Sequence, residues 1–161
     1  YGGGPGDHSG AVEPTIIELQ DGRLWMLIRT YSGRFWQAYS ADEGLTWTDI
    51  GPSAIEASGS PGILLRLKSG RIMLVWNRFA EGRPKNIGRR EELSIAFSED
   101  EGQTWSEPVV VARNRTPDGE DPVPYRVSYP HVFEHAAGEI WITTGQGMLR
   151  MKLHEGDFVG Q

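Results

Sequence analysis

The most regularly spaced reactive side chains in this sequence are two carboxylates, Asp42 and Asp100, which occupy the same place in a repeated pattern. The two copies, 40–47 and 98–105, both read Ser-x-Asp-x-Gly-x-Thr-Trp. An Asp shortly before a Gly favours a tight turn, because its carboxylate can accept hydrogen bonds from nearby backbone N–H groups. The pattern therefore predicts that both carboxylates stabilise their own turns and do not act on a ligand.

The other residues of the repeated pattern are typical of a β-hairpin. Gly44 and Gly102 supply the positive φ that the turn needs. Trp47 and Trp105 follow the turns, and we expect each ring to be buried between repeats. A repeat of this kind indicates one supersecondary unit that is used several times. The pattern is thus informative about the fold and says little about function.

Several other chemistries find little support in the sequence. The chain has no Cys and its four His are scattered, so we expect neither a metal site nor a cofactor. The Gly-rich segment 2–10 follows no strand and leads to no Gly-Lys-Ser, which argues against a phosphate loop. The net charge of −6 argues against nucleic acid as the main partner. No apolar run reaches the roughly 18 residues of a membrane span, and the lack of Cys leaves the compartment open.

The elements that must position any site are short strands. Apolar runs rich in Ile, Leu, Val and Trp alternate with Gly, Pro and Asp turns, and helical periodicity is absent. Segments 14–27, 61–74 and 130–142 each read as strand, Gly turn and apolar strand, which is a hairpin. Strands are expected to resume after the repeated turns, at 46–49 and 105–112. The sequence thus predicts an all-β fold of about three four-stranded antiparallel blades, roughly 13–57, 58–112 and 127–161, the third without an obvious fourth strand.

Three blades are fewer than the roughly four to eight that close a propeller ring. Residues 1–12 are expected to form a linker or a mouth loop. The first residue is Tyr and no signal-peptide pattern follows it, so we expect that the chain does not begin where its gene begins. Segment 148–158 reads as a closing strand and a natural C-terminus.

The repeated turns resemble the Asp-box, or BNR repeat, of sialidases (neuraminidases), and four further residues resemble the second half of that catalytic domain. Glu13 heads a strand–turn–strand unit, and Arg29 follows sixteen residues later. Arg90 stands three residues before the apolar start of the strand that runs into the second Asp-box, and Tyr129 opens the next unit. The resemblance runs from about His8 to the end. It implies the C-terminal half of a six-bladed β-propeller.

The resemblance also implies a glycoside hydrolase that cleaves terminal sialic acids or related 2-keto sugar acids. Tyr129 would be the nucleophile and Glu13 its base, because a phenol needs an adjacent base at neutral pH. Arg29 and Arg90 would bind the sugar carboxylate. A neutral phenol is not repelled by that carboxylate, and sialidases are the Tyr exception among glycosidases.

Other positions are candidates for substrate contact. These are Arg78, Arg126 and His8, and Arg89 competes with Arg90 for the role of carboxylate clamp. The family uses three arginines, of which Arg29 and Arg90 would be two. The resemblance places the first of the three and the Asp acid/base in the other half of the family's domain. Segment 143–147, where the family has a further carboxylate, contains no acid.

Alternative interpretations remain open. Tyr129 could pack in the core under Trp141, and Arg29 could simply end a strand. The protein could be a non-catalytic propeller that binds an acidic sugar or glycan, or a structural half-propeller used for protein association. We expect that the chain alone is inactive, and that a second copy or the N-terminal half closes the ring.

Overall fold

A computed structural model of the chain describes residues 10–79, 85, 88–114 and 126–159, where almost all regular structure is β-strand. The strands are β1 (Val12–Glu18), β2 (Leu24–Arg29), β3 (Arg34–Ser40), β4 (Thr48–Glu56), β5 (Ile63–Arg66), β6 (Ile72–Asn77), β7 (Glu92–Ser98), β8 (Val109–Arg113), β9 (Ser128–Ala136), β10 (Glu139–Gln146) and β11 (Arg150–His154). A 3₁₀ turn, Glu155–Asp157, follows them. The predicted all-β class is confirmed. No helix in the described ranges is long and apolar enough to cross a membrane.

The strands form three antiparallel sheets in which sequence neighbours pair. Strands β1–β4 form the first sheet and β5–β8 the second, while β9–β11 form a three-stranded third sheet among the described residues. The first hairpin of each sheet turns on a glycine with positive φ: 83° at Gly22, 94° at Gly70 and 76° at Gly138. An L side chain is disfavoured at such angles, so these glycines permit the tight turns that the sequence predicts.

Two strands begin later than the sequence predicts. Strand β4 starts at Thr48 and not at residue 46, because the Thr46 N–H donates to the Asp42 carboxylate at 2.8 Å. Strand β8 starts at Val109 and not at residue 105, since Pro108 has no N–H to donate to a ladder. Trp105 instead turns its ring onto the first sheet. In both sheets the turn thus extends further along the chain than expected.

The second sheet is packed on both faces. All six residues of β6 are buried, whereas a strand at a sheet surface alternates between buried and exposed. Ile72, Leu74 and Trp76 pack with the first sheet, and Met73 and Val75 pack with the third. The first strands of the sheets lie side by side, because β1 contacts β5 and β5 contacts β9. This is the arrangement of blades in part of a β-propeller.

In each repeated turn, both oxygens of the Asp carboxylate accept hydrogen bonds from residues of that turn. Thr46 donates its N–H to Asp42 Oδ1 at 2.8 Å and its hydroxyl to Oδ2 at 2.6 Å, while Ser40 donates to Oδ1 at 2.8 Å. These hydrogen bonds, led by that of the Thr46 hydroxyl, lower the pKa of Asp42 to about 2. Asp100 has the same arrangement with Thr104 and Ser98, and its pKa is also lowered.

The backbone of both turns is a type I′ turn, which needs two successive residues with positive φ. Glu43 and Gly44 have φ of 58° and 88°, and Glu101 and Gly102 have 61° and 82°. The Leu45 N–H closes the first turn on the Asp42 carbonyl at 3.2 Å. The glycine half of this geometry was expected from the sequence, whereas the positive φ of the two glutamates was not.

The tryptophans of the two turns differ in their surroundings. The Trp105 ring lies 6.4 Å from the Trp25 ring of the first sheet, so it packs between sheets. Trp47 is half-buried and donates its indole N–H to the Gly44 carbonyl within its own turn. The first sheet has no preceding sheet in the described chain on which Trp47 could pack.

Candidate functional site

The strand order gathers one set of polar residues at one end of the sheets. In an antiparallel sheet whose strands pair in chain order, the starts of odd strands and the ends of even strands share an end. Glu13 lies near the start of β1, Arg29 ends β2, Arg90 precedes β7, Tyr129 lies near the start of β9 and Gln146 ends β10. The Asp-box turns follow β3 and β7, so they lie at the opposite end.

Glu13, Arg29 and Tyr129 form a hydrogen-bonded triad across the first and third sheets. Arg29 Nη1 donates to Glu13 Oε2 at 2.5 Å and to the Tyr129 hydroxyl at 3.2 Å. The Tyr129 hydroxyl donates to Glu13 Oε1 at 3.1 Å. Burial opposes the charge of Arg29, but the hydrogen bond and charge of Glu13 raise its pKa above the ordinary value. The carboxylate thus holds both the phenol and the guanidinium.

A fourth residue, Tyr31, completes the surroundings of Arg29. Arg29 Nη2 donates to the Tyr31 hydroxyl at 2.5 Å, and the guanidinium carbon lies 5.0 Å from the centre of that ring. The loop that carries Tyr31 is held by Thr30, whose hydroxyl donates to the Arg34 carbonyl at 2.7 Å. The sequence interpretation missed Tyr31, although its position two residues after Arg29 was a usable signal.

Glu13 and Tyr129 both have unusual backbone angles. Their φ values are 49° and 60°, and each stands immediately before a proline. A left-handed φ at a non-glycine residue costs about 1–3 kcal/mol and persists only where surrounding contacts enforce it. Such residues cluster at functional sites. Asp49 and the turn residues Glu43 and Glu101 lie in the same left-handed region, so this geometry alone does not distinguish the two cleft residues.

Arg90 is buried at the base of the same cleft. Its Nη1 donates to Gln146 Oε1 at 3.0 Å and its Nη2 to the Gly59 carbonyl at 2.9 Å. Its guanidinium carbon lies 5.3 Å from the centre of the Tyr129 ring. Arg89 is half-exposed and pairs with Glu91 at 3.0 Å. Of these two arginines, Arg90 is the one that faces the cleft.

The cleft between these side chains has a volume of about 350 Å³. It is lined by Val12, Glu13, Arg29, Tyr31, Arg90, Arg126, Tyr129 and Gln146. Arg126 is exposed at its rim. No group of three or more His, Asp or Glu suited to a metal ion occurs in the part of the chain that the structure describes.

The remaining candidates lie elsewhere. Arg78 lines a separate cavity between the first and second sheets, together with Glu56 and Trp105. His8 lies outside the described residues. Trp141 is half-exposed on the outer face of the third sheet beside His135, whereas the Tyr129 hydroxyl contacts Glu13 and Arg29. The sequence interpretation missed Gln146, because it considered only acidic side chains in segment 143–147.

The fold and this constellation can be compared with known proteins. The model of the BNR repeat-like domain family matches residues 2–142. A comparison with curated protein sequences finds no match. Three solved structures are similar. The α-L-arabinanase of Penicillium chrysogenum is 19% identical, with a TM-score of 0.57, and the match covers 90% of this chain and 46% of that one. The intramolecular trans-sialidase of Ruminococcus gnavus is 22% identical, with a TM-score of 0.59, and the match covers 94% of this chain and 34% of that one. The NanB sialidase of Streptococcus pneumoniae is 17% identical, with a TM-score of 0.64, and the match covers 96% of this chain and 25% of that one.

The solved structures show the fold, and the family model shows the family. The chain spans less than half the length of each of the three proteins, and at these identities the likeness concerns the fold. The family model, in contrast, covers most of the chain. The repeated turns and the stacked antiparallel sheets agree with this match, and the chain belongs to the BNR repeat-like domain family.

Proposed function

We propose that this chain carries the nucleophile, its base and two carboxylate-binding arginines of a sialidase-like glycoside hydrolase. The substrate class is terminal sialic acids or related 2-keto sugar acids. The observation that supports this most is the hydrogen bond from the Tyr129 hydroxyl to Glu13 Oε1, at 3.1 Å, inside a cleft that also holds Arg29 and Arg90.

The chemistry of the substrate explains the choice of side chains. The anomeric carbon of a sialic acid carries a carboxylate, which would repel a carboxylate nucleophile. A phenol lacks that charge, and a Tyr nucleophile is the known exception for sialidases. Arg90 and Arg29 would hold the substrate carboxylate by charge-assisted hydrogen bonds.

The first step can be written with this chain's own residues. The Tyr129 oxygen bonds to the anomeric carbon as the glycosidic C–O bond breaks, and the phenol proton passes to Glu13 Oε1. A phenol with a pKa near 10 needs such a base at neutral pH. The leaving alkoxide needs a proton from an acid, which the resemblance assigns to the other half of the domain.

Covalent trapping tests this proposal. A 2,3-difluoro sialic acid should leave a mass adduct on the full-length protein, and Tyr129→Phe should abolish the adduct because it removes the attacking oxygen. Glu13→Gln should slow turnover by about 10²–10⁴-fold, the usual range of acid–base assistance. Tyr39→Phe is the matched control, because Tyr39 lies in the first sheet away from the cleft. Unchanged trapping in Tyr129→Phe would exclude the mechanism.

The same assay should include arabinobiose, the ligand of the arabinanase structure. Turnover of arabinobiose together with inertness toward sialosides would point to a neutral-sugar hydrolase. Binding of a sialic acid without an adduct or turnover would instead favour the non-catalytic carbohydrate-binding alternative.

A further inference from the structure

Arg90 is buried and forms no ion pair with a carboxylate among the described residues. Its residue exposure is 7%, and its Nη1 and Nη2 donate to two neutral oxygens, those of Gln146 and Gly59. Its Nε has no hydrogen-bond partner in the described ranges. Arg29, in contrast, forms an ion pair with Glu13. A buried cation without a counter-ion is unfavourable unless a ligand supplies the opposite charge.

Gln146 is held firmly beside Arg90. Its Oε1 accepts hydrogen bonds from Arg90 Nη1 at 3.0 Å and from the buried Ser128 hydroxyl at 2.8 Å. Glycines flank it, and a side chain at either position would be crowded. A Cβ at Gly145 would lie 3.3 Å from Tyr129 Cβ, and a Cβ at Gly147, where φ is 99°, would lie 2.5 Å from the Arg126 carbonyl oxygen. The backbone around Gln146 is thus packed against the strand that carries Tyr129.

We propose that Gln146 is a positioning residue that aligns Arg90 without neutralising it, and so makes the cleft selective for a carboxylate-bearing sugar over an uncharged one. The amide oxygen orients the guanidinium as a carboxylate would, yet it contributes no negative charge. The full charge of Arg90 is then left for the ligand. This inference rests on the proposed function for the class of sugar, but its electrostatic part concerns Arg90 and Gln146 alone.

Two substitutions of similar size separate alignment from charge. Gln146→Glu keeps an acceptor about 3 Å from Arg90 and adds a charge that competes with the ligand. Gln146→Met removes the acceptor and adds no charge. The probes are N-acetylneuraminic acid and its methyl ester, which differ in the carboxylate charge, and their affinities for the full-length protein can be measured by calorimetry.

We expect Gln146→Glu to weaken binding of the acid roughly tenfold, the effect of one ion pair of ordinary strength, and to change binding of the ester little. Gln146→Met should weaken binding of the acid less and leave its preference over the ester in place. A role in packing alone would lower both affinities equally in Gln146→Glu, and that result would overturn the proposal.

Thermal unfolding without ligand provides the second readout. Gln146→Glu should raise the Tm, because it balances a buried cation, while Gln146→Met should lower it. A lowered Tm in Gln146→Glu would show that the charge of Arg90 is already balanced, and would refute the inference. If the wild type does not prefer the acid but Gln146→Glu still raises the Tm, the proposed sugar class fails and the electrostatic role of Gln146 stands.

Discussion

At the scale of single residues, the same carboxylate chemistry is used in two opposite ways. Both carboxylate oxygens of Asp42 accept hydrogen bonds from Ser40 and Thr46 of the same turn, at the end of the sheet remote from the cleft. Glu13 gives one oxygen to Arg29 and accepts the Tyr129 hydroxyl with the other. The difference is one of partners, because the groups that Asp42 binds belong to its own turn, whereas the Tyr129 phenol that Glu13 binds lines a cleft.

The Asp-box carboxylates should therefore stabilise the fold in a pH-dependent way. A pKa lowered on folding means that the stabilisation is fully present above the ordinary value of 3.8 and is lost as the pH falls toward about 2. Asp42→Asn should lower the Tm clearly at pH 6, and its difference from the wild type should shrink by pH 2.5. Scanning calorimetry at both pH values measures this.

Glu43→Gln is the control for net charge, since Glu43 lies in the same turn and its side chain makes no hydrogen bond among the described residues. Turnover per folded molecule should be unchanged in both variants. A large loss of turnover at an unchanged Tm would contradict the structural role of Asp42.

Residue types and intervals were enough to select the residues that meet in the cleft. Glu13, Arg29, Arg90 and Tyr129 were chosen from the sequence, and the structure brings them together. Arg78 was chosen for its place near the top of a blade, but the side chains of neighbouring strand residues point to opposite faces. Asn77 therefore reaches the Val127 carbonyl while Arg78 lies in the cavity between the first and second sheets. The place of a residue at a strand end does not by itself determine which face of the sheet its side chain occupies.

At the scale of elements, carboxylates set the register between neighbouring sheets. Glu101 accepts the Gln20 N–H of the first sheet at 2.8 Å and binds Arg66 through both oxygens. Glu134 of the third sheet accepts the Lys68 N–H of the second sheet at 2.7 Å. In both cases the donor lies in the first hairpin turn of the preceding sheet. Such cross-sheet bonds depend on stacking, so strand patterns in the sequence could not predict them.

The two Asp-box glycines allow the stacking to be tested by a matched pair. Gly102 and Gly44 both have positive φ, but a Cβ at Gly102 would lie 2.5 Å from the Trp25 ring, whereas at Gly44 the nearest atom is 3.6 Å away. Gly44→Ala should cost about 1–2 kcal/mol for the left-handed backbone. Gly102→Ala should cost about 1–3 kcal/mol more, because the Trp25 ring must move.

Urea unfolding of the two alanine variants measures this difference in the free energy of unfolding. Equal losses would mean that the second Asp-box turn does not pack on Trp25.

At the scale of the whole molecule, the outer faces of the first and third sheets are exposed. Ile16 on the first sheet is 47% exposed, and Phe133 and Trp141 on the third are 63% and 51% exposed. The latter two line a groove of about 510 Å³. Monomers seldom expose large apolar faces. In a closed propeller each of these faces would be covered by a neighbouring blade.

We therefore predict that the isolated chain is not a stable free monomer and has no sialidase activity. Two copies related by a two-fold axis could cover both pairs of faces, as could the remaining blades of a larger domain. Light scattering at micromolar concentration, with a fluorogenic sialoside assay, tests both points. A well-folded monomer of 17.9 kDa that turns over the sialoside would contradict both.

The separation of the cleft from the Asp-box turns has a practical consequence. Leu45, at the tip of the first Asp-box turn, is 85% exposed and lies at the end of the sheets remote from Tyr129. The sequence contains no cysteine, so a thiol introduced at this position would be the only one in the chain. A dye or a solid support attached there would leave the cleft facing the solvent. This position is therefore a suitable attachment site for single-molecule or surface-based measurements of ligand binding.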